Sequence, residues 1–295
     1  MPKRGPNDGA RRSHTGRQRP LIALTLVAAA GILASAVAAC SPTTTASVRL
    51  PDYERTAVSE PTSYYKVCLD GTTSSAPAFA QGIRADLVAA LNELAQGTWG
   101  ATPTAQVPAR PGLQLWLQTV TTHSFADDGQ PEVYITIPGV PALPAPPAYT
   151  DPNFAADELT WAKAEASWAK AVAAARAAGA KAANQLRSVT LDQGGDQFSA
   201  IWACMAALAD TGPQGPDVKM LLASDGINNE PPVTASYAGA PVMFVVNCAW
   251  GSELGCPSRA AAWVTGLRRQ GSGPVTVVRA DWARPAIDAW FGVSE

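Results

Sequence analysis

Three short stretches carry the side chains with the most chemistry. The first is KVCLDGTTSS, residues 66–75, where Asp70, Thr72 and Ser74 stand at alternate positions. The second is LDQGGDQFSAI, where Asp196 follows a Gly-Gly turn and Asp192 stands four residues earlier. The third is LLASDGINN, with Asp225 just after an apolar run. All of these groups offer oxygen, and hard cations such as Mg²⁺ or Mn²⁺ prefer oxygen ligands. Each stretch alone also has a plainer reading. The first is a turn rich in Gly, Thr and Ser, and Asp196 is a helix N-cap, a common place for aspartate. Cap and ligand do not exclude each other, so the question is whether the chain brings the three stretches together.

The elements that would do so are legible from periodicity. Val67, Cys68 and Leu69 suit a buried parallel strand, which Gly71 ends. Ile83, Leu87, Ala90, Leu91 and Leu94 recur at helical spacing and predict a helix over 79–96. Strands follow at 113–120 and 132–137 with no helix between them, which predicts an antiparallel pair with a long hairpin loop. The Pro-rich stretch 139–152 is expected to hold no regular structure. Residues 154–186 read as a helix that Gly179 interrupts or bends, with Trp161 and Trp168 sharing a core-facing side. Then come a helix to about 209, strands at 218–223 and 242–247, a helix at 258–269, a strand at 275–279 and a closing helix at 284–291. Apolar strands alternating with amphipathic helices imply an α/β fold. The expectation is a doubly wound, mostly parallel, Rossmann-like sheet of about six strands with helices on both faces. Its right-handed crossovers carry Asp70 and Asp225 to one carboxyl edge, where open α/β sheets bind ligands.

Composition narrows the function. The chain has 295 residues, 47% of them hydrophobic, enough for one large core with appendages. The net charge of −2 hides a split: residues 1–39 hold six basic residues and one acid, so the remainder stands at −7. A body this acidic, with no basic stripe, lacks the Lys and Arg that phosphate contacts require, which excludes nucleic acid as a partner. The only histidines are His14 and His123. This excludes a zinc site of several histidines and weighs against a Ser-His-Asp hydrolase; His123 reads as an exposed loop residue.

Residues 1–20 are basic, 21–39 are apolar or small, and Cys40 follows. This is the layout of an export signal, or, at this length, of an uncleaved membrane anchor. The ending Val37-Ala38-Ala39-Cys40 resembles the lipobox of bacterial lipoproteins. That resemblance implies a signal peptide over 1–39, lipidation of Cys40, and a protein held on the extracytoplasmic face of the cell membrane. Residues 40–63, rich in Thr, Ser and Pro, read as a flexible tether. The folded domain is then 64–295.

Within that domain the element order and the three oxygen-bearing loops resemble the von Willebrand factor type A domain. DGTTS stands where that family has Asp-x-Ser-x-Ser, GGDQFSAI where it has Gly-Gly-Thr opening a helix, and LLASDG where it has a strand ending in Asp-Gly. The resemblance implies a metal-ion-dependent adhesion site made of Asp70, Thr72, Ser74, Asp196 and Asp225, holding Mg²⁺ or Mn²⁺. An open position would remain for a carboxylate of a protein or peptide partner. Asp196 departs from the family's Thr; as a direct ligand it would neutralise part of the cation's charge and lessen the need for an acidic partner. The surrounding loops place Trp250, Glu253 and Asn228 on a partner-binding rim, with Asp127, Asp128 and Glu230 nearby. The chain stops at Glu295, soon after the closing helix, so no relay to a following domain is expected.

Without Cys40 there remain Cys68, Cys204, Cys248 and Cys256, an even number that favours disulfides in an exported protein. A bridge between Cys248 and Cys256 would pin the rim loop, and one between Cys68 and Cys204 would tie the central strand to a covering helix. Three connectivities, and free buried thiols, remain open.

A second class of function competes with the binding module. Leu69-Asp70-Gly71-Thr72 and Asp225-Gly226-Ile227-Asn228-Asn229 also resemble two motifs of the haloacid dehalogenase superfamily. That resemblance implies a phosphatase or a catalytically dead relative. The attacking aspartate is replaced by Cys68 and a metal carboxylate by Asn229, so no enzyme activity is expected.

Overall fold

Strand β1 (Thr62–Asp70) lies at the centre of a six-stranded sheet of order β3-β2-β1-β4-β5-β6 in this computed structural model. The structure describes residues 62–96, 106–120, 132–191, 199–230, 232–248 and 255–293. The leader, Cys40 and residues 41–61 of the tether lie outside them, whereas Thr62 and Ser63, expected at the end of the tether, open β1.

The chain leaves β1 through a short 3₁₀ turn (Thr73–Ser75) and α1 (Pro77–Gln96), and returns as β2 (Gly112–Val120), parallel to β1. β3 (Val133–Ile137) then pairs with β2 in antiparallel register, Leu115 opposite Ile135. Helices α2 (Phe154–Ser188) and α3 (Ile201–Asp210) carry the chain to β4 (Val218–Ser224), parallel to β1 on its other side. β5 (Val242–Val246), α4 (Cys256–Arg269), β6 (Val275–Arg279) and α5 (Ala283–Phe291) complete the order, β5 and β6 again parallel. The expected doubly wound, mostly parallel α/β sheet is therefore the observed one, its antiparallel member included. Because β1 leads outward to β2 on one side and has β4 on the other, the sheet has a topological switch point between β1 and β4.

Two apolar layers sandwich the sheet. Tyr65, Val67 and Leu69 face α1, α2 and α5, while Cys68, Met220 and Phe244 face α3 and α4. The alternation of β1 between the two layers is the two-residue period of a strand buried on both faces. Trp168 is buried on the α2 side and Trp161 packs beside it, as their spacing predicts.

Three expectations need correction. β1 begins at Thr62, not at Val67, because Lys66 continues the strand although it is only 1% exposed. α2 is unbroken for 35 residues. Gly179 does not interrupt it but lets it approach α1, since a Cβ there would collide with Ala95. The Pro-rich stretch is not wholly irregular: Val140 and Leu143 form isolated bridges with Arg110 and Val107 and are buried. Proline excludes a long ladder here, but two spaced N–H groups are enough for two bridges.

Lys66 donates from Nζ to the Ala209 carbonyl at 3.3 Å, near the carboxyl end of α3. Burial pushes its ammonium down to about 8, while Asp210 pulls it part of the way back. The unfolded chain holds this proton to about 10.4, so between the two values the unfolded state binds more protons than the folded one. Stability is therefore expected to rise with pH across that window, by on the order of 3 kcal/mol. Lys66→Met is expected to flatten the rise and to shift the urea midpoint upward at neutral pH, read by denaturation at a series of pH values.

Candidate functional site

Asp70 ends β1 and Asp225 follows β4, so the switch point places the two carboxylates side by side at the carboxyl edge. Both are buried, each with 0% exposure. Asp70 is fully engaged. Its Oδ1 accepts from the Thr72 backbone N–H at 3.1 Å and from the Thr72 hydroxyl at 2.6 Å, and its Oδ2 accepts from the Ser224 hydroxyl at 2.6 Å. This turn is local chemistry: an aspartate bonding the backbone two residues on is the usual Asx turn.

Three hydroxyls then converge. Thr72 Oγ1 lies 2.6 Å from Ser199 Oγ and 3.3 Å from Ser74 Oγ, and Ser74 Oγ lies 3.4 Å from Ser199 Oγ. Ser199 and Thr72 are buried. Asp225 Oδ1 accepts the Ile227 N–H at 2.8 Å, but its Oδ2 is buried and has no hydrogen-bond partner among the described residues. A buried carboxylate oxygen with no donor is costly, and such an atom is explained most simply by a ligand.

The electrostatics agree. Burial pushes the Asp70 carboxyl up to about 6, against the hydrogen bonds from Ser224 and Thr72, and neighbouring Asp225 pushes the same way. Burial also raises Asp225, offset by the Ile227 N–H, by the Ser74 and Ser224 hydroxyls, which lie near the carboxylate but make no hydrogen bond to Oδ2, and by the Arg259 guanidinium. Arg259 Nε donates to the Asp225 carbonyl at 3.3 Å, so this cation is held on the backbone side. The donor set is oxygen throughout and carries two carboxylates, which fits a small hard cation.

The loops are fixed by contacts distant in sequence. Asn228 Oδ1 accepts from the N–H groups of Ile201 at 2.8 Å and Trp202 at 3.2 Å, capping α3, whose own Ala200 provides no side-chain cap. Asn229 Oδ1 accepts the Ser199 N–H at 3.1 Å, and the Asn229 N–H returns to the Ser199 carbonyl at 3.1 Å. Trp263 Nε1 donates to the Gly226 carbonyl at 2.9 Å and stacks on Trp202, centroids 4.1 Å apart. Gly226 has φ of 76°, and a Cβ on it would press against Trp263 at 3.2 Å, so only glycine suits the Asp-Gly turn. Asn247 Nδ2 donates to the Ser75 carbonyl at 2.7 Å and ties the first loop to β5.

Of the expected site residues, Asp70, Thr72, Ser74 and Asp225 are brought together. Asp196 lies outside the described residues, as do Trp250, Glu253, Asp192, Asp127, Asp128 and His123. Asn228, expected on a partner-binding rim, is partly exposed and spends its side-chain oxygen on the α3 N-terminus. Asn228→Ala is expected to cost about 1 kcal/mol of stability, the usual worth of a helix cap, measured by urea unfolding. Ser199 and Ser224 were missed. Ser199 is the last hydroxyl before the apolar helix, three residues after Asp196, but only the folded loop turns it toward Thr72.

The cysteines form two disulfides, Cys68–Cys204 and Cys248–Cys256. The first removes the phosphatase reading's residue of interest, because Cys68 occupies the nucleophile position and is locked in a bridge with 0% exposure. Asn229, the second altered position, is held by Ser199.

No protein-family model and no curated protein matches the chain. Among solved structures it is similar to proximal thread matrix protein 1 from the mussel byssus, at 10% identity and a TM-score of 0.37, covering 79% of this chain and 48% of that one. It is also similar to the pilus adhesin SpaC from Lactobacillus rhamnosus GG in an open conformation, at 9% identity and a TM-score of 0.37, covering 79% of this chain and 30% of that one. The chain thus spans less than half the length of either protein, and likeness at this level adds nothing to what the site itself argues.

Proposed function

We infer that this chain is a non-catalytic binding module that presents a divalent cation, Mg²⁺ or Mn²⁺, at the carboxyl edge of its sheet. The observation that carries this is the partnerless, buried Asp225 Oδ2 beside the converging hydroxyls of Thr72, Ser74 and Ser199. Those four residues would hold the ion. Asp70 acts behind them, orienting the Thr72 hydroxyl through Oδ1 and keeping its own charge close by. Asp196 remains a candidate ligand from the sequence. The bound ion would supply a positive centre for a carboxylate of a protein or peptide partner, which two buried aspartates alone would repel.

The module is read as extracytoplasmic, tethered through lipid on Cys40. Two disulfides within one domain support the oxidising compartment, and the leader and the Val37-Ala38-Ala39-Cys40 sequence support the anchor.

The test is calorimetric titration of Mg²⁺ and Mn²⁺ into the full chain. Saturable binding is expected, followed by retention of a carboxylate-bearing peptide only while the metal is present. Absence of metal binding, or peptide binding indifferent to chelator, would overturn the reading.

A further inference from the structure

The sheet has a second surface suited to a partner, away from the oxygen cluster. Among the described residues β6 is an edge strand, bonded to β5 on one side only. Its sequence, VTVVR, contains no proline, no bulge-forming glycine and no inward charge, the devices that usually protect an exposed edge. A proline flanks each edge strand, Pro274 before β6 and Pro138 after β3, but neither interrupts the strand itself. On β6 Val277 is 41% exposed, and next to the strand Trp282 is 66% exposed.

Each face beside this edge carries a concavity, the second of them shallow and open. One cavity, about 590 Å³, lies on the α4 side against Val277, Arg279, Pro257 and Ala260. The other, about 570 Å³, lies on the α5 side against Val278, Trp282, Pro285 and Ala286. Side chains of a strand alternate between faces, so a strand added to β6 would direct successive side chains into one cavity and then the other.

Charge selects the occupant. Residues 255–293 hold five arginines against two aspartates. Arg259 is held at Asp225 and Arg284 pairs with Glu93 and Asp288, which leaves Arg268, Arg269 and Arg279. Arg268, Arg269 and Arg279 are exposed. Arg268 and Arg269 end α4, and residues 270–274 join it to β6, so the exposed arginines mark both ends of the edge. Arg279 has an ion pair with Asp281 at 3.2 Å, but both side chains are more than half exposed, and such pairs are weak. A second copy is a poor occupant: an antiparallel pair of β6 strands would set the Arg268 end of one against the Arg279 end of the other, and like charges oppose that pairing.

We propose that the β6 edge binds an extended, acidic peptide segment of a partner protein by strand addition, its alternate apolar side chains entering the two cavities. This surface needs no metal and stands apart from the reading of the oxygen cluster.

The test uses the full chain and labelled peptides about seven residues long, enough for one strand. Valine alternates with glutamate in one peptide and with lysine in the other, and binding is followed by fluorescence anisotropy. The acidic peptide is expected to bind saturably, equally well with chelator present, and more weakly as salt rises. Arg279→Glu is expected to weaken it about tenfold while strengthening the basic peptide. Trp282→Ser is expected to weaken both, since Trp282 lines one cavity. Methylation of alternate peptide nitrogens on the edge-facing side is expected to abolish binding, because strand addition depends on main-chain hydrogen bonds. Hydrogen exchange at Val277, whose N–H points away from β5, is expected to be fast in the free protein and slowed by peptide, whereas Thr276 and Val278 face β5 and serve as protected references.

Equal binding of both peptides, indifference to N-methylation, or no binding at all would overturn the proposal. So would a Val277 amide already slow in the free protein, which would mean that the chain's own tether or a second copy covers the edge; sedimentation tells these two apart.

Discussion

Asp225→Asn is expected to move stability in opposite directions depending on metal. Without metal the variant keeps the bond from the Ile227 N–H and loses a buried charge that its neighbours only partly offset, so it is expected to be no less stable than the parent, and more stable by about 1 kcal/mol. With Mg²⁺ at about 100 times its Kd, the parent gains about 2.7 kcal/mol by mass action, and the variant gains almost none. Metal affinity is expected to fall by about 100-fold or more, above the loss typical of an outer-shell residue. Thermal unfolding of both proteins, with and without Mg²⁺, reads all of this in one experiment. If Asp225 serves only the turn, the variant is destabilised in both conditions and the Mg²⁺ shift is unchanged. Ser224→Ala is the companion measurement. It frees Asp70 Oδ2 while leaving every proposed ligand in place, so its effect on affinity should be about tenfold rather than total.

Loss of the Cys68–Cys204 bridge is expected to be the largest stability effect in the molecule. It joins residues 136 apart, and in the chain-entropy model a closed loop of that length is worth about 5 kcal/mol. The bridge ties β1, which carries Asp70, to α3, which follows Ser199 and is capped by Asn228. Cys68→Ala with Cys204→Ala is therefore expected to lower the urea midpoint sharply and to weaken metal binding, because the spacing of Thr72 and Ser199 depends on those two elements. The Cys248–Cys256 bridge spans only eight residues and on the same reasoning is worth about half as much. The order of reduction should differ as well. Cys68 and Cys204 both have 0% exposure, whereas Cys248 is half-buried, so limited reductant should open the short bridge first. Mass spectrometry of alkylated peptides would follow the two reactions. Opening of the long bridge first would mean that the core around α3 is looser than its burial implies.

The periodicity of the sequence was enough to place every strand and helix described above, most to within a few residues, because each is a long apolar pattern with a clear stop. The antiparallel β2–β3 pair was legible for a similar reason: no helix-length segment separates the strands. The exceptions share a physical cause. Lys66 hides the start of β1, since a lysine interrupts an apolar run in sequence, while in the fold the end of α3 supplies a carbonyl for its ammonium. Gly179 reads as a break along one helix, and only the second helix, with Ala95 against it, shows that the missing side chain permits a crossing.

The same division holds for the site. Asp70, Thr72, Ser74 and Asp225 were readable because each sits within a few residues of a strand end, so strand direction alone determines its edge. Ser199, Ser224 and the cap from Asn228 were not. Ser224 bonds a residue 154 positions away, Ser199 one 127 away, and Asn228 caps a helix that starts 27 residues earlier. What a residue does next to its neighbours in the chain was set by the sequence alone. Which hydroxyl meets which carboxylate was decided by the parallel pairing of β1 with β4 and by the packing of α3 over them, because only these bring groups so far apart in the chain within hydrogen-bonding reach.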